Sequence, residues 1–458
     1  MKQESRNNQV ESSISEKPRS DKPRRLAEWL NPTGANKVHS LVDKIYKGKN
    51  LELAWFKVKR NQGAGGIDGQ GIGEFEINLN NNLQKLQKEL REDTYKPQPV
   101  LRCLIPKAGQ PEKTRPLGIL TIFDRVCQQA ILNRLTPIFE LVFDEANFGY
   151  RQGKSTKDAL KKIWLEIQQG REWIVDADLK DFFGSVVQEK LMVLLNQRIS
   201  DGRVLSLIER ILKAGGVFKG RRFATEQGVC QGGGFSPLMS NILLTPFDKE
   251  MRRKGYCVTR FADDWLATCG TRAEAQVLLT AATKILKTLG VELHKEKTRI
   301  VHVRNGFEFL GYKIKRGSKP LKLPTHKIKS STKFRALYAY PREKSITSFK
   351  QQIRNHTRRR VPRTTQEIIG KINPIIRGWG NYFAKAHVRK LFSRLDHWII
   401  RRIWSHHCKR WRNCGWRTLP DRKLYGELKL VRLVALIPSL AHQFTLVKAG
   451  CGKTACPV

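Results

Sequence analysis

Arg260-Phe261-Ala262-Asp263-Asp264-Trp265 decides the reading of this chain. Tyr256 to Phe261 is patterned as a strand and Trp265 to Cys269 as its return, which puts two adjacent carboxylates at the tip of an apolar hairpin. Neighbouring acids repel each other and bring nothing to packing; they make sense against something doubly positive. Carboxylate oxygens suit magnesium, which binds through one or two carboxylates together with substrate phosphates and keeps several waters. The competing reading is a solvated turn, since Asp is a common turn residue.

A third acid bears on the choice. Trp173 to Leu179 has the pattern of a short strand, with Asp176 and Asp178 alternating onto one face and Phe182 and Phe183 just beyond. Two acids facing a core are costly unless paired or metal-bound. If this strand lies beside the hairpin, Asp178 reaches the same ions as Asp263, and two metals about 3.5–4 Å apart can clamp the attacking and leaving oxygens of a phosphoryl transfer. Otherwise Asp176 or Asp178 is an edge residue or a cap.

Composition narrows the partners. The 458 residues carry a formal charge of +45, a load that disfavours any compact state unless a polyanion compensates. Nucleic acid is the expected partner, because Lys and Arg neutralise phosphates and release counterions. No apolar run of about 18 residues supports a spanning helix, so no membrane partner is expected. Residues 1–25 are polar and basic and are expected to be disordered. They lack an apolar signal core, and Glu4, Glu11 and Glu16 count against a transit peptide. A bacterial cytoplasmic, nucleoid-associated setting is expected, with an organelle left open. Nine cysteines without pairing logic fit a reducing compartment. His406, His407, Cys408 and Cys414, and separately Cys451 and Cys456, lack the paired spacing of a zinc site.

Along the chain, helical patterns cover 26–60, 79–90 and 122–143, with a Gly-rich turn at 63–69. Val100 to Ile105 reads as a strand that runs through Pro106-Lys107 into a polar loop ending at Arg115-Pro116-Leu117-Gly118. Phe148 to Ser155 is a loop feeding a helix, with Ser155 and Asp158 as a capping box. Ser236-Pro237 has the residues of a helix start, and that helix should run to about Arg252. Further helices are expected near 188–197 and 273–289, and strands at 298–303 and 307–314. Residues 311–420 then hold 29 Lys/Arg against 3 Asp/Glu, with helical patterns at 345–357, 366–378 and 387–405. A domain boundary is expected within 310–345.

These blocks, in this order, resemble the group II intron-encoded reverse transcriptases, or maturases. The resemblance runs over roughly 55–400. It rests on Gly66-Ile67-Asp68-Gly69, Ile105-Pro106-Lys107, Arg115 to Gly118, Phe148 to Ser155, Asp176 to Lys180 with Phe182-Phe183, Gln231-Gly232-Gly233 with Ser236-Pro237, Phe261 to Asp264, Leu293 with Lys297-Thr298, Phe309 to Tyr312, and Gly378 to Phe383. It implies an α+β right-hand polymerase: fingers and palm with an antiparallel palm sheet over 26–315, a helical thumb and maturase (X) domain over 316–420, and a C-terminal extension over 421–458 that could be a DNA-binding remnant. The implied reaction is attack of a DNA primer's 3′-hydroxyl on a deoxynucleoside triphosphate along an RNA template, with magnesium held by Asp178, Asp263 and Asp264.

The resemblance also suggests Lys107 and Arg115 for the triphosphate, with ordinary surface charge as the alternative. Gln231 and its glycines would let backbone approach the nucleotide. Phe182 or Phe183 would exclude a 2′-hydroxyl, core packing being equally open for either. Lys297 would face phosphate or protonate pyrophosphate, or be merely solvated. Arg151 would touch template, or serve a surface loop. Arg358, Arg359, Arg360 and Arg377 would grip intron RNA. For Trp379, Tyr382, Trp398 and Trp404 a helical-bundle core is the competing role.

Partners expected from the family are intron RNA, template and primer, and target DNA; a homodimer is neither required nor opposed. Phe261 stands where Tyr is usual, Gly234-Phe235 where an aliphatic pair precedes Ser-Pro, and Gly184 where Asp is common. No His-Asn-His pattern with cysteine pairs follows the X-like region, so DNA cleavage by this chain itself is not expected. A splicing factor with an idle polymerase, and a related reverse transcriptase recruited to defence or repair, are the alternatives carried forward.

Overall fold

The computed structural model describes residues 30, 37–107, 110–320, 335–409 and 415–438. The tail over 1–25, Trp411, and the zinc candidates Cys414, Cys451 and Cys456 lie outside them. Helices α1 (Val42–Tyr46), α2 (Gly48–Asn61), α3 (Ile72–Ile77) and α4 (Leu79–Arg91) precede the hairpin β1 (Val100–Lys107) and β2 (Gln110–Ile119). Then come α5 (Ile122–Glu140), α6 (Thr156–Gln168), β3 (Trp173–Ala177), α7 (Phe182–Ser185), α8 (Gln188–Asn196), α9 (Gly202–Leu212), β4 (Gly216–Phe218) and β5 (Arg221–Phe223). Next are α10 (Ser236–Arg253), β6 (Cys257–Phe261), β7 (Asp264–Cys269), α11 (Arg272–Leu289), β8 (Arg299–His302), β9 (Phe307–Phe309), β10 (Tyr312–Pro320) and β11 (Arg335–Pro341). The chain continues through α12 (Glu343–His356), α13 (Thr365–Phe383), α14 (Arg389–His407) and α15 (Gly415–Thr418).

The α+β expectation holds. The central sheet is antiparallel throughout, in the order β6-β7-β3-β8. Its strand alternation separates two cores. Val175, Ala177, Trp265 and Ala267 face a cluster with α5, α8, α9 and α10. Ile174 and Leu266 face the other way, into a cluster that continues through α6 and the β11-β10-β9 sheet to α13 and α14. The helical region is therefore built onto the sheets by a shared core, not hung from them by a linker.

Three local readings are corrected. Arg115 to Gly118 is part of strand β2, because β1 supplies a full antiparallel partner for it. The single strand expected over 307–314 is split by a tight turn at Leu310 and Gly311, both at positive φ (48° and 80°). Phe235 rather than Ser236 precedes α10; the Ser236 hydroxyl is committed to the Cys230 carbonyl.

Candidate active site

The β6–β7 turn is held from behind by a buried charge pair. Phe261 pairs with Asp264, so Ala262 and Asp263 are the two turn residues, and Ala262 sits at φ 61°. That conformation is unfavourable for a residue with a Cβ. Arg260, fully buried, stabilises it by donating to the Ala262 carbonyl at 2.9 Å. The same guanidinium takes both carboxylate oxygens of buried Asp248 (2.8 and 3.0 Å) and the Asn241 amide oxygen at 3.2 Å. Asn241 donates to the Gly149 carbonyl at 2.9 Å, and Phe148 donates its N–H to the Arg260 carbonyl at 2.8 Å. A Cβ at Gly149 would fall 2.2 Å from the Ala262 nitrogen, so glycine there lets the loop close on the turn. Arg260, Asp248 and Asn241 were missed in the sequence, where a buried ion pair leaves no periodic signature.

Register brings the third acid to this turn. Ala177 pairs with Trp265 as the last pair of the β3–β7 ladder, so Asp178, directly beyond the end of β3, follows on the side where β7 begins with Asp264. The carboxylates feel one another. Asp263 is raised by burial and by the Asp178 charge. Asp264 is pushed up to about 6 by desolvation and by the charges of Asp263, Asp178 and Asp176. The phenol of Tyr150, a residue at positive φ, is raised by partial burial and then by the charges of Asp263 and Asp264. Two cations already answer this negative field: Lys297 ion-pairs with Asp178, and Arg299 holds Asp176 at 2.9 and 3.0 Å.

Among the described residues no trio of His, Cys, Asp or Glu closes around one metal-sized point. The donor set still fits magnesium. All three donors are carboxylates, their mutual repulsion calls for a cation, and the Lys297 ammonium stands where positive charge is wanted. Magnesium is ordinarily completed by substrate phosphates and water, not by a protein cage.

The raised carboxyls fix the sign of a pH effect in metal-free protein. A carboxyl whose folded pKa exceeds its unfolded value costs stability when charged, and folded protein then binds more protons than unfolded between the two values. Wild-type stability relative to Asp264→Asn should therefore rise as pH falls from about 6 toward about 4. Denaturation midpoints of the two proteins in a chelator, taken across pH, check this; a wild-type midpoint that drops relative to Asp264→Asn over that interval contradicts it.

A cavity of about 290 Å³ is lined among others by Arg102, Gly118, Asp181, Phe183, Gln231 and Ser236, and the chain enters its wall three residues after Asp178. Phe183 is on its wall, whereas Phe182 is 3% exposed and belongs to the core. Gln231 accepts the Gly118 N–H at 2.6 Å, so the β1–β2 hairpin rests on the Gln231-Gly232 loop. Gly232, at φ 103°, permits that approach, since a Cβ there would meet Leu117 at 2.5 Å. Gly184 has a local reason as well: the Asp181 carboxylate fills the space a Cβ would need.

The expected cations are placed differently. Arg115 shares its β2 face with Leu117 and Ile119, which line a separate cavity, and is exposed. Arg102, one strand away and stacked 4.0 Å over Phe223, is the cation on the Phe183 wall. The backbone of Lys107 ends β1.

Arg151 is a correction. Its side chain, 8% exposed, is committed to Glu140 at 2.7 Å and to the Asn147 carbonyl at 3.0 Å, so it folds its own loop and is not free for template. Arg358, Arg360 and Arg377 are exposed, while Arg359 is half-buried and donates to the Ser405 hydroxyl at 3.3 Å. Trp379, Tyr382, Trp398 and Trp404 pack against the second core. His406 reaches the Val361 carbonyl at 3.0 Å, a structural role.

Two family models match this chain: "Reverse transcriptase (RNA-dependent DNA polymerase)" over residues 105–314 and "Group II intron, maturase-specific domain" over 346–424. Protein YkfC of Escherichia coli K12 is 31% identical over 338 residues, covering 64% of this chain and 88% of YkfC. Group II intron-encoded protein LtrA of Lactococcus lactis subsp. cremoris is 38% identical over 167 residues, 36% of this chain and 28% of LtrA. This chain thus spans most of YkfC but under a third of LtrA. A solved structure of a partial Cas6-RT-Cas1–Cas2 complex aligns at 26% identity over 55% of this chain and 42% of that one, with a TM-score of 0.36. Among the described residues no helix is long and apolar enough to cross a membrane.

Proposed function

The chain belongs to the reverse transcriptase and maturase family of group II introns, and on that premise we propose that it copies RNA into DNA at the Asp178–Asp263–Asp264 cleft and binds intron RNA through its basic helical region. Its reverse transcriptase domain is that of an RNA-directed DNA polymerase. The observation that carries the mechanistic reading is the register that ends β3 against the start of β7, bringing Asp178 to the end of the sheet where Asp263 and Asp264 stand.

Magnesium held by these acids would make the primer 3′-hydroxyl a better nucleophile and neutralise charge on the leaving pyrophosphate. The protein's own part is positional. Arg260 and Asp248 fix the turn that presents Asp263 and Asp264. Lys297 balances Asp178 before substrate binds and then lies beside the phosphates. Arg102 faces the triphosphate from the cavity wall, with Lys107 and Arg115 on the same hairpin. The Gln231 loop supplies a close backbone surface. Fingers and palm are assigned to 26–315, thumb and X domain to 316–420. Arg358, Arg359, Arg360 and Arg377 are assigned to intron RNA, where binding should fall steeply with salt.

Primer extension on an RNA template with deoxynucleotides, with and without magnesium, tests the activity. Within that assay the two phenylalanines should separate. Phe183→Val is expected to raise ribonucleotide incorporation about tenfold or more by opening the wall beside the sugar. Phe182→Ala should leave sugar choice unchanged and cost about 3–5 kcal/mol of stability, as for a large core truncation. Equal sugar selectivity in Phe183→Val and wild type would remove Phe183 from the nucleotide site.

A further inference from the structure

We infer that the outward face of the β9–β11 sheet is a docking platform for unpaired RNA, with Tyr338 and Tyr340 as stacking residues and Lys313 and Lys315 as phosphate contacts. The inference rests on the RNA-binding reading above and adds a site to it.

The argument starts from register. Tyr312, Ile314, Leu337 and Ala339 turn into the second core. Lys313 pairs with Tyr340 and Lys315 with Tyr338, so these four side chains share the opposite face. Lys313 and Lys315 are exposed, and Tyr340 is 41% exposed. The two tyrosine rings lie nearly parallel, 6.1 Å between centroids and 17° between planes. The row continues at the strand edge. His387 accepts the Ala339 N–H at 3.2 Å and donates its own backbone N–H to the Ala339 carbonyl at 2.9 Å. Its ring, kept toward the neutral form by burial, sits 4.9 Å from Tyr338 and stacks on Trp164 at 6.3 Å. Gly317 opens the strand beneath: a Cβ there would come within 2.9 Å of the Tyr338 ring.

Both tyrosines are turned away from the second core and flanked by lysines, with Tyr338 half-buried and Tyr340 exposed. Their chemistry, π faces beside ammonium groups, matches a ligand that offers base faces and phosphates together. Unpaired RNA does so, whereas a duplex hides its base faces. Glu308, opposite Lys313, is the acid on this face, and it leaves the lysines in excess. The aromatics expected to stack on RNA, Trp379 and its neighbours, pack partly into the core; exposed Trp416, with Arg417 5.1 Å over its ring, is a single aromatic beside a cation, whereas this face pairs two rings with two lysines.

The test uses the full chain and a single-stranded RNA of about 12 nucleotides carrying 4-thiouridine, a length within the site sizes of stacking platforms. Photo-cross-linking should place adducts on the peptide containing Tyr338 and Tyr340. Tyr338→Ala with Tyr340→Ala should weaken single-strand affinity about tenfold or more by fluorescence anisotropy. Tyr338→Phe with Tyr340→Phe should keep it, since stacking needs the ring and not the hydroxyl. Duplex RNA affinity and extension of a preformed primer–template should not change.

Adducts confined to other peptides, with unchanged affinity in the alanine variant, would overturn the platform; that result would leave the face to a protein partner. An equal loss for duplex and single strand would also overturn it, reducing the face to general charge. Wild-type protein that cross-links here but extends no primer would sink the polymerase reading alone. Protein that extends primers but gives no adduct here would sink this inference alone.

Discussion

Asp263→Asn is expected to abolish primer extension, with a loss of roughly 10³-fold or more, on the scale of removing a principal electrostatic group from a transition state. RNA affinity should stay within about twofold of wild type. Asn keeps the shape of the turn, so Arg260 and the Phe148 loop still hold Ala262 in place. What is lost is one negative charge in a cluster where Asp178 raises Asp263, and Asp263 and Asp178 raise Asp264. Without divalent metal in the binding assay, removing an anion cannot weaken attraction for a polyanion, so a parallel fall in RNA binding there would mean the turn had collapsed. Extension within tenfold of wild type would remove Asp263 from the chemistry.

Arg260→Met should be strongly destabilising, by about 3–5 kcal/mol, because it leaves the Asp248 carboxylate buried without its partner. Burial already raises the Asp248 pKa, with Arg260 opposing that rise, so loss of the guanidinium should drive the acid toward its neutral form. Arg260→Met with Asp248→Leu should recover much of the loss, since a well-packed apolar pair can replace a buried ion pair at little cost. Chemical denaturation midpoints of the two variants and wild type decide this. A single variant within about 1 kcal/mol of wild type would show that the bracket does not support the turn.

How far the sequence could be read follows from what each interaction leaves in local pattern. The acids were legible because strand alternation and a two-residue turn are local: Asp178 and Asp263–Asp264 could be placed before any tertiary contact was known. Long amphipathic helices such as α13 and α14 were legible for the same reason. The turn at Leu310-Gly311 was not, because an apolar run through 307–314 looks the same whether it continues or folds back. Arg151 was misplaced because in so basic a chain a conspicuous arginine invites a nucleic-acid role, while its Glu140 partner lies on a helix 11 residues earlier. Lys107 and Arg115 are named from the sequence as the triphosphate cations, and Arg102, which lines the Phe183 cavity, is not considered there. Choosing among them needs the face each strand position takes in the folded hairpin, which follows only from knowing that Arg115 to Gly118 is itself a strand. Tyr338 and Tyr340 alternate with Leu337 and Ala339 in a way the sequence displays, but the strand was not identified within a stretch dominated by its charge.

The most direct test of the central claim is manganese binding, with Mn²⁺ standing in for magnesium, followed by electron paramagnetic resonance on wild type, Asp178→Asn and Asp263→Asn. Acids 85 positions apart that share a cation predict saturable binding in wild type and a loss of roughly tenfold or more in affinity for each variant. Undiminished affinity in Asp178→Asn, beside a loss in Asp263→Asn, would contradict the shared site and with it the copying mechanism proposed for this cleft.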